Sequence, residues 1–318
     1  MTEPSPAASQ PLWRRLLPFV TAAALLALVL VRLDWHKFFV ALRSIHYVYF
    51  MLFTVAFNAA LLLADTFATT HVYRTRVCNI GYKELLVIRG ASYLPSLLNH
   101  HVGQGWLTYF LSKMYKAPLW RVTGATLIVY ATTFGCVYLL GLSALPFNHG
   151  RVHWLAPTIG AIGVAGLGYG IVLAVKPRIL REAQTTAPLM EAGVRGHLVA
   201  LAYRLPHVLV LFVGTWVPFL FFGIDVPFTD ALAYIPVLML VIALPITPQG
   251  IGTRDVVALE LMSRFAVGSS EERAATLAAA TLSWAAALTV VQATFSPILM
   301  RQARKLFVQT GAGDEVIR

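Results

Sequence analysis

The sequence predicts an all-α integral membrane protein: about six full transmembrane helices plus two re-entrant helical hairpins, arranged as an inverted-topology repeat. Three observations carry that reading. Of 318 residues, 58% are hydrophobic and only 12% are charged, against about 25% charged in a soluble domain. Six apolar runs approach or exceed the roughly 20 residues that cross a bilayer. Two further apolar stretches are interrupted by proline, glycine and polar residues, and the distribution of Lys and Arg says how to fold them.

The first run, 16–33, follows Arg14 and Arg15 and leads into RLDWHKFF with no small-x-small cleavage site. It is expected to be a retained first helix and not a cleaved signal. Further spans are expected at 47–69, 122–145, 154–175, 199–222 and 274–300. Tyr47, Trp120 and Trp154 sit near their ends, where amphipathic rings anchor at the headgroup level. Residues 84–112 and 229–267 do not fit a single crossing. The first contains Arg89, Pro95 and then the polar stretch NHHVGQG; the second contains PITPQGIGTRD between two apolar halves.

Charge decides their path. If both stretches return to the side they entered from, and the amino terminus is inside, the segments 1–15, 70–83, 112–121, 176–196 and 301–318 share one side. They hold sixteen Lys and Arg. The other side holds five: Arg32, Lys37, Arg43, Arg151 and Arg273. Sending 84–112 straight across would put the four cations of 176–196 outside, and sending 229–267 across would export the basic carboxy-terminal tail. Positive charge prefers the cytoplasmic side, so two hairpins are expected and both termini are expected in the cytoplasm. Residues 1–150 then read as two spans, a cytoplasmic-side hairpin over 84–112 and one span. Residues 151–318 read as two spans, an external-side hairpin over 229–267 and one span. Three full spans per half invert the second half, as in secondary transporters, where interrupted segments in matching positions mark the site. The symmetry rests on hydropathy alone.

The net charge of +11 points to anionic headgroups and not to nucleic acid, because the cations lie in short connections beside apolar runs. Cys78 and Cys136 are the only cysteines, one in a basic loop and one in an apolar span, so no bridge is expected. No His or Cys spacing suits a metal; adjacent His100 and His101 point about 100° apart on a helix. No metal or cofactor is expected.

The candidate site residues lie in the two interrupted stretches. In LPITPQGIGTRD, residues 244–255, Pro245 and Pro248 stop a helix, and Gly250 and Gly252 permit a tight turn. Thr253 suits an N-cap for a second half-helix starting at Arg254. Free N–H groups at such an end bind phosphate. Asp255 suits the helix dipole and Arg254 opposes it, so Arg254 is not there for helix stability. The alternative is an Arg254–Asp255 pair at the interface. In RGASYLPSLLNHHVGQG, residues 89–105, Pro95 ends or kinks a helix, and Gly103 with Gly105 closes the turn. Asn99, His100, His101 and Gln104 supply donors and acceptors. Irregular backbone at membrane depth needs protein or water around it, and Arg89 inside a half-helix is a functional candidate. The bland alternatives are an interfacial Arg89 beside Lys83 and Glu84, and hydrogen-bonded loop histidines. Arg204 and His207, at i and i+3, and Asp65 read as interfacial groups near the cytoplasmic ends of their spans.

At these two stretches the chain resembles a family. It is similar, over roughly residues 15–305, to the flippase-like transmembrane domain family that includes the membrane half of lysyl-phosphatidylglycerol synthase and related polar-lipid translocases. LPITPQGIGTRD is close to that family's Pro–small–Pro–Gly–Gly–x–Gly–x–Arg–acidic pattern. The family usually shows Pro–x–Arg–x–Gly–Glu in the other stretch; here HHVGQG stands there, with His101 in place of Arg and Gln104 in place of Glu. The resemblance implies translocation of a phosphate-bearing polar lipid between leaflets of a bacterial cytoplasmic membrane, without catalysis. The expected substrate-binding set is Arg89, Asn99, His100, His101, Gln104, Thr247, Thr253, Arg254 and Asp255. The expected partners are membrane lipids with anionic or phosphate-bearing headgroups. The family's soluble aminoacyl-transfer domain has no counterpart in these residues, so lysine transfer to lipid is not expected. Two other classes compete: an integral-membrane lipid-modifying enzyme, which needs a nucleophile, an acid/base pair or a metal, and a non-transporting scaffold of a lipid or envelope pathway.

Overall fold

A computed structural model describes residues 34–148, 152–243 and 253–309. The protein is an all-α integral membrane protein; among the described residues there is no strand. Twelve α-helices follow in order among the described residues: α1 Trp35–Arg43, α2 Tyr47–Arg76, α3 Tyr82–Ser96, α4 His100–Met114, α5 Leu119–Ser143, the short α6 Leu145–Asn148, α7 Leu155–Val175, the short α8 Arg178–Glu182, α9 Ala187–Phe221, α10 Phe228–Ala243, α11 Thr253–Met262 and α12 Ser270–Gln309. Five of them, α2, α5, α7, α9 and α12, are long and apolar enough to cross a membrane. Each covers most or all of one predicted span. The predicted span 16–33 lies outside the described residues.

Several ends differ from the sequence reading. α2 continues to Arg76, seven residues beyond the expected 69, and α9 begins at Ala187, twelve before the expected 199. The expected limits follow the apolar runs, yet a helix needs only its own hydrogen bonds to continue past them. Within α9 the backbone breaks at Gly193, φ 56°, a left-handed conformation that glycine adopts without steric cost. The connection between the first two predicted spans holds a helix: Asp34 caps α1, its carboxylate accepting from the Lys37 N–H at 3.1 Å. Lys37 then pairs with Glu271 of the α12 start at 2.6 Å.

The stretch 84–112 is a helical hairpin. Its arms α3 and α4 have 15 residues each, about 22 Å at 1.5 Å per residue, less than the roughly 30 Å hydrocarbon core. The turn is Leu97–Asn99, tighter than the polar loop expected over 99–105. α4 already starts at His100, because the Asn99 side chain accepts from the His101 N–H at 2.8 Å and caps the helix. Gly103 is therefore not in the turn. It lies in α4 where the arms touch: a Cβ there would sit 1.7 Å from Ser96 Oγ and 2.7 Å from the Ser92 carbonyl. In the stretch 229–267, α10 has 16 residues and α11 has 10, and the two helices pack together. Residues 244–252, with Pro245, Thr247, Pro248, Gly250 and Gly252, lie outside the described residues.

The buried apolar residues form two cores. One gathers Phe50, Phe57, Phe212, Phe219, Leu238, Met262 and Trp284 around α10 and α11. The other gathers Tyr73, Leu85, Ile88, Leu107, Leu111, Val122 and Ala303 around α3 and α4. α2, α9 and α12 run through both. On α2 the first core includes Phe50 and Phe57 and the second Val72 and Tyr73. On α9 the first includes Val208 and Phe212 and the second Met190 and Ala200. Asp65 and Arg204 occupy the gap between them.

Candidate functional site

In that gap stands a buried charge cluster. Asp65 of α2 is 1% exposed, Arg204 of α9 1% and Arg89 of α3 7%. The Asp65 carboxylate takes one arginine on each oxygen: Arg89 Nε donates to Oδ2 and Arg204 Nη1 donates to Oδ1. Thr69 Oγ1 donates to Oδ1 at 3.2 Å and itself accepts from Arg204 Nη2 at 3.0 Å. His207 Nδ1, one turn from Arg204, lies 3.8 Å from Oδ1. The spacing explains the register: Asp65 and Thr69 are i, i+4 on one face of α2, and Arg204 and His207 are i, i+3 on one face of α9.

The cluster extends into the first hairpin. Arg89 Nη1 donates to Gln104 Oε1 at 2.8 Å, joining arm α3 to arm α4. Gln104 Nε2 donates to Tyr73 Oη at 3.3 Å. The Tyr73 hydroxyl meets Thr126 Oγ1 of α5 at 2.9 Å, and Thr126 meets Thr108 Oγ1 at 3.2 Å. The polar network thus ties five helices together inside the second core. Two of its buried atoms, Arg204 Nε and His207 Nδ1, have no hydrogen-bond partner. With His207 neutral, Asp65, Arg89 and Arg204 sum to one positive charge. A charge at the centre of a membrane helix costs roughly 2.5–3.5 kcal/mol on insertion scales, and removing one partner of a buried pair costs about 3–5 kcal/mol. The cluster holds two guanidinium groups against one carboxylate.

The second stretch supplies another buried cation. Arg254 at the start of α11 is 7% exposed. Its Nη2 donates to Asp255 Oδ1 at 3.2 Å and to the Thr281 carbonyl of α12 at 3.0 Å, while Nε has no partner. The charge pair weighed in the sequence is present, and it is buried. Arg254 also lines a cleft with Thr215, Pro218, Phe219, Leu238, Ile242 and Trp284. Thr253 opens α11, where a helix start was expected.

The structure brings Arg89 and Gln104 together and adds three residues that the sequence had set at the interface: Asp65, Arg204 and His207. Asn99 caps α4. His101 is half-buried, with Nδ1 3.4 Å from Tyr130 Oη; His100 is exposed beside it and meets its ring edge-on. Arg254 and Asp255 form a separate station. On α12, Thr281 serves Arg254, while Phe295 packs on Tyr93 of α3. Fourteen residues separate these two levels, about 21 Å along a helix. Thr247 lies outside the described residues. Among the described residues no group of three His, Cys, Asp or Glu converges as a metal site would need.

The model of the lysylphosphatidylglycerol synthase TM region matches residues 15–294. Comparison with curated proteins and with solved structures gives no match. The family match covers both hairpin stretches, every described residue of the charge cluster and Arg254. The chain belongs to the lysylphosphatidylglycerol synthase transmembrane-region family.

Proposed function

We propose that this protein is a non-enzymatic translocase that moves a phosphate-bearing polar lipid between membrane leaflets. The observation that carries the reading is the cluster of Asp65, Arg89 and Arg204: a buried, unbalanced positive charge at the junction of two cores. Cationic groups that face a bundle interior commonly mark a substrate route. Arg254, on the short α11 and bonded to the Thr281 carbonyl of α12, is a second cation at a separate level, which suits a headgroup passed between two stations while its acyl chains stay in lipid. Both hairpins are read as re-entrant, entering from opposite sides, and the two halves as an inverted repeat that rocks around the site. The shortness of α3, α4, α10 and α11 supports that reading, as does the charge distribution. The amino and carboxy termini then lie in the cytoplasm.

The test is reconstitution. Purified protein goes into liposomes with a labelled glycerophospholipid confined to one leaflet, and both leaflet position and lipid composition are followed. A translocase carries the label to the opposite leaflet with its chemistry unchanged. A new lipid species would instead mark an enzyme, and an undisturbed distribution a scaffold; either sinks the proposal.

A further inference from the structure

We infer that the Asp65–Arg89–Arg204–His207 cluster is a monoanion-exchange site, in which the Asp65 carboxylate stands where a lipid phosphodiester binds. The identity of the lipid headgroup class rests on the translocase reading; the anion site itself does not. Three features of the cluster support it. The carboxylate holds one arginine on each oxygen, and those arginines come from different elements, α3 and α9. Two oxygens on a tetrahedral phosphorus present the same fork, and guanidinium groups bind either anion through paired N–H donors.

Charge then sets the class of ligand. With Asp65 in place the group carries +1. A phosphodiester carries one negative charge and brings the sum to zero. A phosphomonoester at neutral pH carries about 1.5 to 2 and overshoots. A zwitterionic headgroup brings a second cation that finds three cationic or neutral donors and a single carboxylate. Donor capacity matches as well: Arg204 Nε and His207 Nδ1 are nine-tenths buried or nearly so and have no partner, so two hydrogen-bonding atoms remain for an incoming anion. The neighbouring groups are accounted for. Thr69 is engaged with both Asp65 and Arg204, Gln104 with Arg89 and Tyr73, and the Arg89 guanidinium lies over the Tyr93 ring at 5.9 Å.

Exchange gives the site a way to release what it binds. A lone pair of buried arginines would hold phosphate tightly. A carboxylate beside them competes for the same donors and returns when the headgroup leaves. Asp65 is therefore a positioning residue that sets affinity low enough for transfer.

The experiment measures binding by full-length protein in detergent to three dihexanoyl lipids of equal chain length: phosphatidylglycerol, phosphatidic acid and phosphatidylcholine. Soluble glycerophosphoglycerol is the headgroup without chains. The wild type should bind phosphatidylglycerol about tenfold or more tighter than phosphatidylcholine, the scale of one charge-assisted hydrogen bond. Asp65→Asn raises the cluster to +2 and should tighten phosphatidylglycerol about tenfold while slowing leaflet transfer, with phosphatidic acid gaining most. Arg204→Gln lowers it to zero and should weaken binding about tenfold or more. The double variant Asp65→Asn/Arg204→Gln returns it to +1 and should recover binding. Charge-blind binding by the wild type overturns the proposal even if no variant folds, and so does a double variant as weak as Arg204→Gln. Glycerophosphoglycerol binding as tightly as the lipid overturns the lipid assignment. Charge-ordered binding with no leaflet transfer keeps the site and removes the translocase; transfer with charge-blind binding does the reverse.

Discussion

Arg254 donates through one nitrogen to two acceptors, Asp255 and the Thr281 carbonyl, and a structural pair and a phosphate ligand ask different things of it. A structural pair needs opposite charges side by side. A phosphate ligand needs a planar fork at one place. Arg254→Lys keeps the charge and loses the fork; Arg254→Ala loses both. Leaflet transfer in liposomes is expected to fall in the order wild type, Lys, Ala. The Ala variant should lose about 10- to 100-fold in headgroup affinity, from roughly 1.5–3 kcal/mol for a charge-assisted hydrogen bond. Exchanging the two residues, with Arg254→Asp and Asp255→Arg together, should not restore transfer; recovery would leave only an ion pair. Arg254 and Arg89 were legible in the sequence because each sits where an apolar run is broken. Asp65, Arg204 and His207 were not, because each sits in an unbroken run and depth is not written in a run. In the sequence they stand near the expected limits 69 and 199; the helices run past both, to Arg76 and from Ala187, and the three side chains are buried by packing between helices, which no single run records. The available signal was a pair of opposite charges at matching distances along two antiparallel spans.

At the scale of elements, the first hairpin depends on how closely its arms approach. A Cβ at Gly103 would meet the Ser92 carbonyl at 2.7 Å, and backbone cannot turn aside as a side chain can. Gly103→Ala should therefore destabilise the protein by about 1–3 kcal/mol, the usual range for overpacking, seen as a lower unfolding temperature in detergent. Gly105→Ala is the matched control: nothing lies within 4 Å of that Cβ, and alanine favours a helix over glycine by up to about 1 kcal/mol. The sequence showed that a hairpin was needed but placed its turn too late. Polar residues 99–105 looked like loop, while one capping interaction at Asn99 is enough to start α4 among them. The contact of α1 with the α12 start has a pH signature. The Lys37 backbone N–H holds the Asp34 carboxyl below its usual range, and hydrogen bonding to Glu271 raises the Lys37 ammonium. The lowered acid contributes above the unfolded-state value of about 3.9 and fades as pH falls through its folded value. The raised base contributes below about 10.4 and fades as pH rises through its folded value. The contribution of this contact to thermal stability in detergent should be lost only below about pH 4 and above about pH 10.

For the whole molecule, the decisive question is which surfaces face the cytoplasm. Cysteines replacing Lys116 and Glu182 should react with an impermeant maleimide only after the cytoplasmic side is opened, and cysteines replacing Asp225 and Ser269 should react from outside. All four positions are exposed, whereas nearby Met190 and Val226 are buried at 2% and 1% and would stay silent on either side. External labelling at 116 would break the two-hairpin topology. Native Cys78 should add little background, because burial pushes its thiol up to about 11 and the thiolate is the reactive form. The class of fold and the long helices were readable because a bilayer imposes length and polarity on every span; the join between the two cores was not, since it exists only where helices meet. α12 crosses that join. It has 40 residues, about 60 Å of helix, and packs on α3 of one hairpin and α11 of the other. Pro297 lies two residues past Phe295, and its missing N–H removes the hydrogen-bond rung to Ala293, which stands between Thr281 and Phe295. A single helix that packs on both hairpins links the two proposed stations. Whatever factor an anion at the inner cluster applies to affinity near Arg254, an anion near Arg254 must return to the inner cluster. Measuring both affinities, each with the other station empty and filled, should give the same ratio twice, and Pro297→Ala should change that ratio without touching either site.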